Sequence, residues 1–466
     1  MKIIKLLAVA VAVLAGQSAG TNGAVLIADD PSPAVEPSDI GCNFELDATS
    51  AHFTTAGGTG AVTVASSATN CSWSATSYSP FVTVTSATNF TGDGVVIYSV
   101  ADNTNRVGFT GVILIAGQPF LAIQDAFSVK RGTYNGVIIQ TNAPSNASSG
   151  SIKLKLSERG TFTASLTLGG VRTSFKGKFD GGGNSTNTVT SKQLDPQHLL
   201  MQLSIFTASN DSTANSITGV LSNGTFTSAL MAGVASSDRT NRCLVRGNYT
   251  FILAPADRNN PTVPQGYGFG TLDVQRNGQT RMTGSLGDGT AISLNVQASL
   301  DGNWPLYKTL YKNQGSCVGW VTLSTNSPVS SSVDWFKPPM PGDRLYPAGF
   351  TTSAALDGGI FVSPVSGGPA IAGTGTLTLG GGGLAANIVK NVLIETNGTI
   401  TVSPPGNDKV TLTINMATGE FGGSFLHPAI NQTSRFAGQF VQTNTFGAGF
   451  FLGTDRSGFV TIELTP

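Results

Sequence analysis

Short stretches in which apolar and polar residues alternate recur along most of the chain, and clusters of Gly, Asn, Asp and Ser separate them. Residues 152–156 and 410–414 are clear examples, and 61–64 and 95–100 are short runs rich in β-branched residues. Alternation with a period of two is typical of β-strands with one buried face, because successive side chains of a strand point to opposite sides. We therefore predict an all-β fold, with a small β-sandwich first and antiparallel β meander or barrel-like bodies after it.

Internal similarity indicates duplicated hairpins in the larger, later part of the chain. Segment 160–179 resembles 419–440: in each, a Gly precedes a Phe by two residues, and an alternating strand comes before the pair. Segment 217–225 resembles 282–290, and the two contain Asn-Gly and Asp-Gly, which favour two-residue hairpin turns. Neither similarity has a fixed period, which argues against a propeller or solenoid and favours a duplicated meander or barrel-like body.

Composition shifts suggest where the domains begin and end. The predicted segments are a signal peptide (1–20), a Pro-rich acidic linker (21–40), a β-sandwich (41–125), a β-rich domain (126–327), a Pro-rich joint (328–347) and a related β-rich domain (348–466). Lys2 and Lys5 before an apolar run are typical of an export signal. Trp335 and Phe336 offer an alternative for the joint, namely a strap docked on the preceding body.

The first unit carries an ordered set of motifs. They are Cys42-Asn43-Phe44, Gly57-Gly58-Thr59-Gly60, Cys71-Ser72-Trp73, Gly92-Asp93-Gly94, Tyr98-Ser99-Val100, Ala101-Asp102-Asn103, Arg106, Ile115-Ala116-Gly117-Gln118 and Ile123-Gln124. In this order they resemble a BACON domain over residues 41–124, although Phe81 stands where such domains often carry a Trp. The resemblance implies an immunoglobulin-like sandwich beside carbohydrate-active modules in exported bacterial proteins. The remainder is similar to β-repeat regions of uncharacterised exported bacterial proteins, which implies no activity.

The motif Cys71-Ser72-Trp73 leaves two interpretations of its tryptophan. Trp73 could stack on a sugar, as the presumed sugar-binding role of BACON domains would suggest. It could instead pack in the core beside Cys71, which is the interpretation we favour because the neighbouring cysteine is a disulfide candidate.

The chain has four cysteines, and export would place them where disulfides persist. Four cysteines allow three connectivities. Cys42 and Cys71 fall within one small unit and Cys243 and Cys317 within another, so we expect these two pairs. No Cys-x-x-Cys pair occurs, which argues against a zinc ribbon or a redox site.

The charge balance bears on partners and location. Lys and Arg total 26, as do Asp and Glu, so the formal net charge is +0 and no basic excess predicts a nucleic-acid partner. No segment after the apolar run 6–15 is long and apolar enough to span a membrane, and Gln17 stands where a lipoprotein would carry its lipidated Cys. We therefore predict a secreted or cell-surface protein without a transmembrane segment in its mature chain.

The sequence shows no catalytic motif. His52, His198 and His427 are far apart, form no metal-binding pattern, and are expected at the surface or in turns. The loops at 180–184 and 301–303 suggest calcium sites, but they lack the required order of acidic residues and are expected to be hairpin turns. We therefore predict no catalytic residues, metal or cofactor, and no enzymatic activity.

One aromatic cluster is a candidate ligand site. It comprises Trp304, Tyr307, Tyr311 and Trp320, with Asn303 as a hydrogen-bond partner. Flat rings offer apolar faces to sugars. Trp304 and Tyr307 differ by an odd number, so on one regular strand they would point to opposite faces, one toward a core.

Two classes of function are compatible with these features. The first is a non-catalytic secreted or cell-surface structural or adhesive protein, with carbohydrate binding as its candidate activity and an extracellular glycan or another surface protein as partner. The alternative is a polysaccharide-acting hydrolase, which would require two carboxylates about 5 to 10 Å apart in a cleft.

Overall fold

A computed structural model of the protein describes residues 41–194, 198–205, 216–236, 242–368, 370–441 and 445–465. These residues form β-strands joined by turns and two 3₁₀ helices, Tyr311–Asn313 and Pro364–Ser366, which confirms the predicted all-β fold. The predicted signal peptide and linker, residues 1–40, lie outside the described residues. In the part of the chain that is described, no helix is long and apolar enough to cross a membrane.

The first unit is a sandwich of two sheets. Its strands are β1 (Phe44–Leu46), β2 (Ser50–Phe53), β3 (Gly58–Ser66), β4 (Ser72–Ser77), β5 (Val82–Val84), β6 (Asn89–Thr91), β7 (Gly94–Val100), β8 (Phe109–Ile115) and β9 (Gln118–Gln124). One sheet has the order β1-β3-β7-β5 and the other β2-β9-β8-β4-β6. Alternate residues of each sheet, such as Val62 on β3 and Ile113 on β8, form the core between them.

Three eight-stranded sheets follow. The first barrel contains β10 (Gly132–Ile139), β11 (Gly150–Leu156), β12 (Thr161–Leu168), β13 (Val171–Lys178), β14 (Asn184–Thr190), β15 (His198–Ile205), β16 (Ser216–Ser222) and β17 (Thr227–Val234). The second contains β18 (Gly247–Pro255), β19 (Gly268–Val274), β20 (Thr280–Ser285), β21 (Ala291–Leu294), β22 (Asn303–Leu310), β23 (Gly315–Thr322), β24 (Val329–Lys337) and β25 (Phe350–Ile360). The third contains β26 (Gly373–Gly381), β27 (Ile388–Ile394), β28 (Ile400–Ser403), β29 (Thr411–Ile414), β30 (Glu420–His427), β31 (Gln432–Val441), β32 (Phe446–Leu452) and β33 (Ser457–Thr465).

The three barrels share one topology. Consecutive strands pair antiparallel, and the first strand of each barrel pairs with its last: β10 with β17, β18 with β25, and β26 with β33. Each sheet is open at one seam, between the fourth and fifth strands in the first two barrels and between the third and fourth strands in the third. Each barrel therefore encloses a separate apolar core.

The predicted duplicated hairpins are confirmed, and one physical feature explains their sequence. Gly160 and Gly419 adopt φ of +76° and +70°, a left-handed conformation that glycine adopts without steric cost. The buried ring of Phe162 lies over Gly177 on the paired strand, where a Cβ atom would come within 2.4 Å of the ring. Phe421 lies over Gly438 in the same way, so each motif needs a glycine opposite its aromatic anchor.

The predicted joint at 328–347 is wrong, and the predicted boundaries change with it. Residues Val329–Lys337 form β24, which pairs with β23 on one side and β25 on the other. Trp335 is buried in the second barrel and Phe336 packs outside it, so the strap alternative is closer to the structure. The segments predicted as two domains, 126–327 and 348–466, contain three barrels, because the strands on both sides of the prolines close one sheet.

Of the two predicted disulfides, the structure contains one. Cys42 and Cys71 are bonded, with their Cα atoms 5.6 Å apart. The predicted pairing of Cys243 with Cys317 is wrong: both are free thiols buried in the core of the second barrel. Cys243 precedes β18 and its backbone N–H bonds to Arg276, whereas Cys317 lies in the middle of β23. Membership of one domain was not enough to bring the sulfur atoms together.

The barrels stack through the outer face of their first strands. Val137 on β10 packs in one cluster with Tyr307 and Phe336 of the second barrel. Ile252 on β18 likewise packs in one cluster with Ala448 of the third barrel. Strands β10 and β18 are thus buried on both faces, toward their own core and toward the next barrel.

Outer positions that no neighbouring barrel covers closely are more polar. In the third barrel, the position that matches Val137 and Ile252 is Thr378, which is partly exposed and lines a hollow beside Arg258 and Tyr267 of the second barrel. The outer positions of β14–β16 in the first barrel are mostly Ser, Thr and Gln. Polar outer faces are what terminal repeats of a stacked array need for solubility.

The contacts at Val137 predict that a polar substitution there lowers stability more than a substitution at the matching position of the third barrel. Val137 is fully buried, so Val137→Ser should remove apolar contacts with the second barrel and lower the free energy of unfolding by about 2 kcal/mol. Thr378→Ser at the matching, partly exposed position of the third barrel should change it by less than about 0.5 kcal/mol. Urea denaturation followed by tryptophan fluorescence measures both, and equal midpoints for the two variants would contradict the stacking.

The free thiols predict a labelling pattern. Burial raises the pKa of the Cys317 thiol to about 12, so below that pH it is protonated and does not react as a thiolate. At pH 8 a thiol-specific reagent should label neither Cys243 nor Cys317 in the folded protein, and should label both after denaturation without reductant. Finding no reactive thiol in the denatured protein would show that a second disulfide exists.

Candidate functional site

The residues of the predicted aromatic site are mostly structural. Trp304 is 1% exposed and points into the core of the second barrel. Tyr307 points to the opposite face, as the odd spacing predicts, but is only 7% exposed because the first barrel covers it. Burial raises the pKa of Tyr307 to about 12, and its hydroxyl accepts a hydrogen bond of 3.3 Å from the backbone N–H of Gly170.

The other three predicted residues do not form a common surface. The Tyr311 hydroxyl donates to Asp288 at 2.7 Å and accepts from the indole N–H of Trp335 at 3.0 Å. Trp320 packs with the apolar cluster between the first two barrels. The amide oxygen of Asn303 accepts from the hydroxyl of Thr322, 2.9 Å away on the neighbouring strand. The candidate sugar-binding cluster is therefore divided between a core and an interface.

Trp73 is also a core residue. Its ring stacks on Phe90 at 4.2 Å between centroids, and its indole N–H donates to the carbonyl of Gly92 at 2.8 Å. The ring is 7% exposed, so it offers no face to a ligand.

The histidines lie apart from one another, and one of them differs from the prediction. His52 pairs with Asp125 and His198 contacts Thr190. His427 is fully buried, whereas a surface or turn position was expected, because it packs against the rings of Phe425 and Phe451 in the third barrel. Within the described ranges, no group of three His, Cys, Asp or Glu residues could hold a metal ion.

A polar cleft lies between the first and second barrels. Its volume is about 660 Å³, and its lining residues are Asn135, Gly136, Ser151, Ile152, Lys153, Ser165, Thr167, Arg172, Gln275, Gln279, Thr280, Arg281, Asn295, Val296, Gln297, Pro305 and Tyr307. Amides, hydroxyls and three cations dominate this lining, and no carboxylate is part of it. We call it the inter-barrel cleft.

Both walls of the inter-barrel cleft are held by the fold. The first barrel contributes outward-facing residues of β10–β13, and the amide of Asn135 donates to the carbonyl of Gln297 across the cleft at 3.4 Å. From inside the second barrel, the indole N–H of Trp304 donates to the hydroxyl of Thr280 and the carbonyl of Val296, both at 3.1 Å. Trp304 is thus a positioning residue behind the wall that carries Asn295 and Gln297.

A second hollow of about 960 Å³ adjoins the cleft along β10 and β11. Arg106 of the sandwich and Arg131 both pair with Glu158 there, at 2.6 and 3.3 Å. Lys130, Lys155 and Arg159 complete its basic lining. The sequence reasoning missed these residues because it used the net charge of the whole chain; the charge of each segment would have revealed them.

The geometry defines an all-β protein of a sandwich and three stacked barrels, with a polar cleft at the first barrel junction. No protein-family model and no curated protein matches the chain. The resemblance of residues 41–124 to a BACON domain therefore stays a prediction. Among solved structures, the chain is similar to isotype 1 transferrin binding protein B from serogroup B Neisseria meningitidis, with 10% sequence identity and a TM-score of 0.20, over 88% of this chain and 84% of that one.

The role of Trp304 can be tested by replacing its indole with a ring that has no N–H. Trp304→Phe should lower the free energy of unfolding by about 2 to 4 kcal/mol, because it removes buried ring volume and leaves the Val296 carbonyl without this donor. Trp320→Phe is the matched control, since no described residue accepts from its indole N–H, and should cost less than half as much. Thermal denaturation measures both, and equal losses would show that the bonds to the cleft wall contribute nothing.

Proposed function

We propose that this chain is a non-catalytic, extracytoplasmic binding protein that holds a glycan in the inter-barrel cleft. The observation that carries the proposal is the lining of the cleft by side-chain amides, hydroxyls and cations. Such groups pair with sugar hydroxyls by donating and accepting hydrogen bonds at fixed positions. A volume of about 660 Å³ is in the range of small-ligand sites.

Preorganisation supports binding at this place. The cleft walls are strands of two barrels and the short segments that follow β19 and β21, and the apolar cluster around Val137 joins the barrels, so little backbone has to be ordered when a ligand binds. Gln275 and Gln279 are exposed at the β19–β20 turn and face the same cleft. Their side chains form no hydrogen bond with other described residues, which leaves them available to a ligand.

A hydrolase is the less favoured candidate. Glycoside hydrolysis needs an acid and a second carboxylate on either side of the scissile bond. The lining of the inter-barrel cleft has no Asp or Glu, and Glu158 in the adjoining hollow is engaged by two arginines. A ligand in the cleft would meet donors and acceptors but no acid–base pair.

The location outside the cytoplasm is part of the proposal. The disulfide between Cys42 and Cys71 supports it, because such bonds persist in oxidising compartments and are rare in the cytosol.

A glycan array with neutral and acidic oligosaccharides tests the function. The wild-type protein should bind members of the array and release no shorter sugars. The variant Gln275→Ala/Gln279→Ala should bind the same glycans about tenfold more weakly, because it removes two hydrogen-bonding side chains.

The control is Gln193→Ala/Gln432→Ala, two exposed glutamines on the first and third barrels outside the cleft. It should bind like the wild type, and both double variants should keep the wild-type denaturation midpoint. An array on which nothing binds, or equal binding by the two double variants, would refute the proposal. Release of shorter sugars would support the hydrolase.

A further inference from the structure

Positive charge is concentrated in one part of this neutral chain. Eight of the 26 Lys and Arg residues fall between positions 130 and 178, where Glu158 is the only acidic residue. Because β11, β12 and β13 are neighbours in one sheet, the topology gathers most of these cations on one outer surface. We call the outward positions of these three strands the basic face.

The basic face is a regular array of ammonium, guanidinium and hydroxyl groups. Across the sheet, Lys155 lies opposite Thr163, which lies opposite Lys176. All the remaining outward positions of β11–β13 are also Lys, Arg, Ser or Thr. With strands about 4.8 Å apart, the two lysines are separated by about 10 Å.

The lysines of the basic face are available to a ligand. Lys153, Lys155 and Lys176 are exposed, and none of them forms an ion pair with a described residue. A concentration of unneutralised like charges disfavours the folded state by mutual repulsion, so an anionic partner would relieve it.

The other barrels show that the fold does not require this charge. In the second barrel, the strands matching β11 and β12 place Asp273 opposite Arg281. In the third barrel, β27 presents Val389, Asn391 and Leu393 outward. The same topology therefore forms with neutral or balanced outer faces, and the basic face is a property of the first barrel alone among the three.

The basic face also joins the two hollows. Lys155 lines the hollow beside the sandwich, and Lys153, two residues along the same strand, lines the inter-barrel cleft. Arg159 lies at one end of this track and Arg281 at the other. The cations thus follow a line along β11 rather than surround a single point.

We infer that the ligand is a linear anionic polysaccharide, carrying carboxylate or sulfate groups, that lies along β11 from the sandwich junction into the inter-barrel cleft. The inference rests on the proposed glycan-binding function and adds the charge and the path of the ligand. Lysines spaced along a strand suit repeated anionic groups, and the intervening Ser and Thr hydroxyls suit sugar hydroxyls. Single-stranded nucleic acid is disfavoured, because its binding uses aromatic rings for base stacking and the outward positions of β11–β13 carry none.

The test measures binding of the full chain to four probes by calorimetry. They are chondroitin sulfate, polygalacturonate, neutral dextran and a single-stranded oligonucleotide. Lys155→Gln/Lys176→Gln removes two charges outside the inter-barrel cleft. Arg246→Gln/Arg435→Gln removes two exposed charges from the second and third barrels and is the matched control.

We expect the wild type to bind at least one anionic polysaccharide and not dextran, with an affinity that falls as salt rises from about 0.05 to about 0.3 M. The lysine variant should bind at least about fivefold more weakly, and the arginine control should bind like the wild type. Equal binding by the lysine variant, no binding of either polyanion, or tighter binding of the oligonucleotide than of both polysaccharides would overturn the inference. The glycan array with the Gln275 and Gln279 variant remains a separate test of the cleft.

Discussion

In the first and second barrels, the first strand packs on both of its faces, and this double packing holds the barrels together. Tyr134 and Tyr249 point into the first and second barrels, and each hydroxyl donates to a carbonyl four residues earlier, at 2.7 Å. The outward neighbours Val137 and Ile252 meet the next barrel. One strand thus contributes side chains to its own core and to the contact with the next barrel. Separating adjacent barrels would expose that apolar surface to water, and this exposure costs about 25 cal/mol for each Å².

The inter-barrel cleft is a consequence of this packing. Two convex barrels that touch along β10 and β22–β23 leave a groove beside the contact. Most residues that face this groove are polar, and they come from both sheets, the β19–β20 turn and residues 295–297. The apolar cluster fixes the separation of the walls, and Trp304 fixes the 295–297 segment from inside the second barrel. The proposed binding surface and the structural contact thus lie side by side along the same strands.

Differences between the barrels distinguish residues that the fold requires from residues that it does not require. The glycine motifs at Gly160 and Gly419 recur because backbone geometry requires them. The outward lysines of β11 and β13 do not recur in the other two barrels, although the strands pair in the same way. Because the fold forms without these lysines, their presence in the first barrel is compatible with a role in ligand binding.

Local sequence features were enough to predict the strand pattern, the order of sandwich and barrels, the duplicated hairpins and the Cys42–Cys71 bond, because alternation, turn residues and short spacing are local properties. Three outcomes could be read only from the folded protein: which strand closes each barrel, which face of β22 is covered, and that Cys243 and Cys317 stay apart. These outcomes depend on contacts between residues far apart in the chain. The basic face depends on both the sequence and the tertiary structure. Its charges are visible in the sequence, but only the pairing of β11, β12 and β13 places them on one surface.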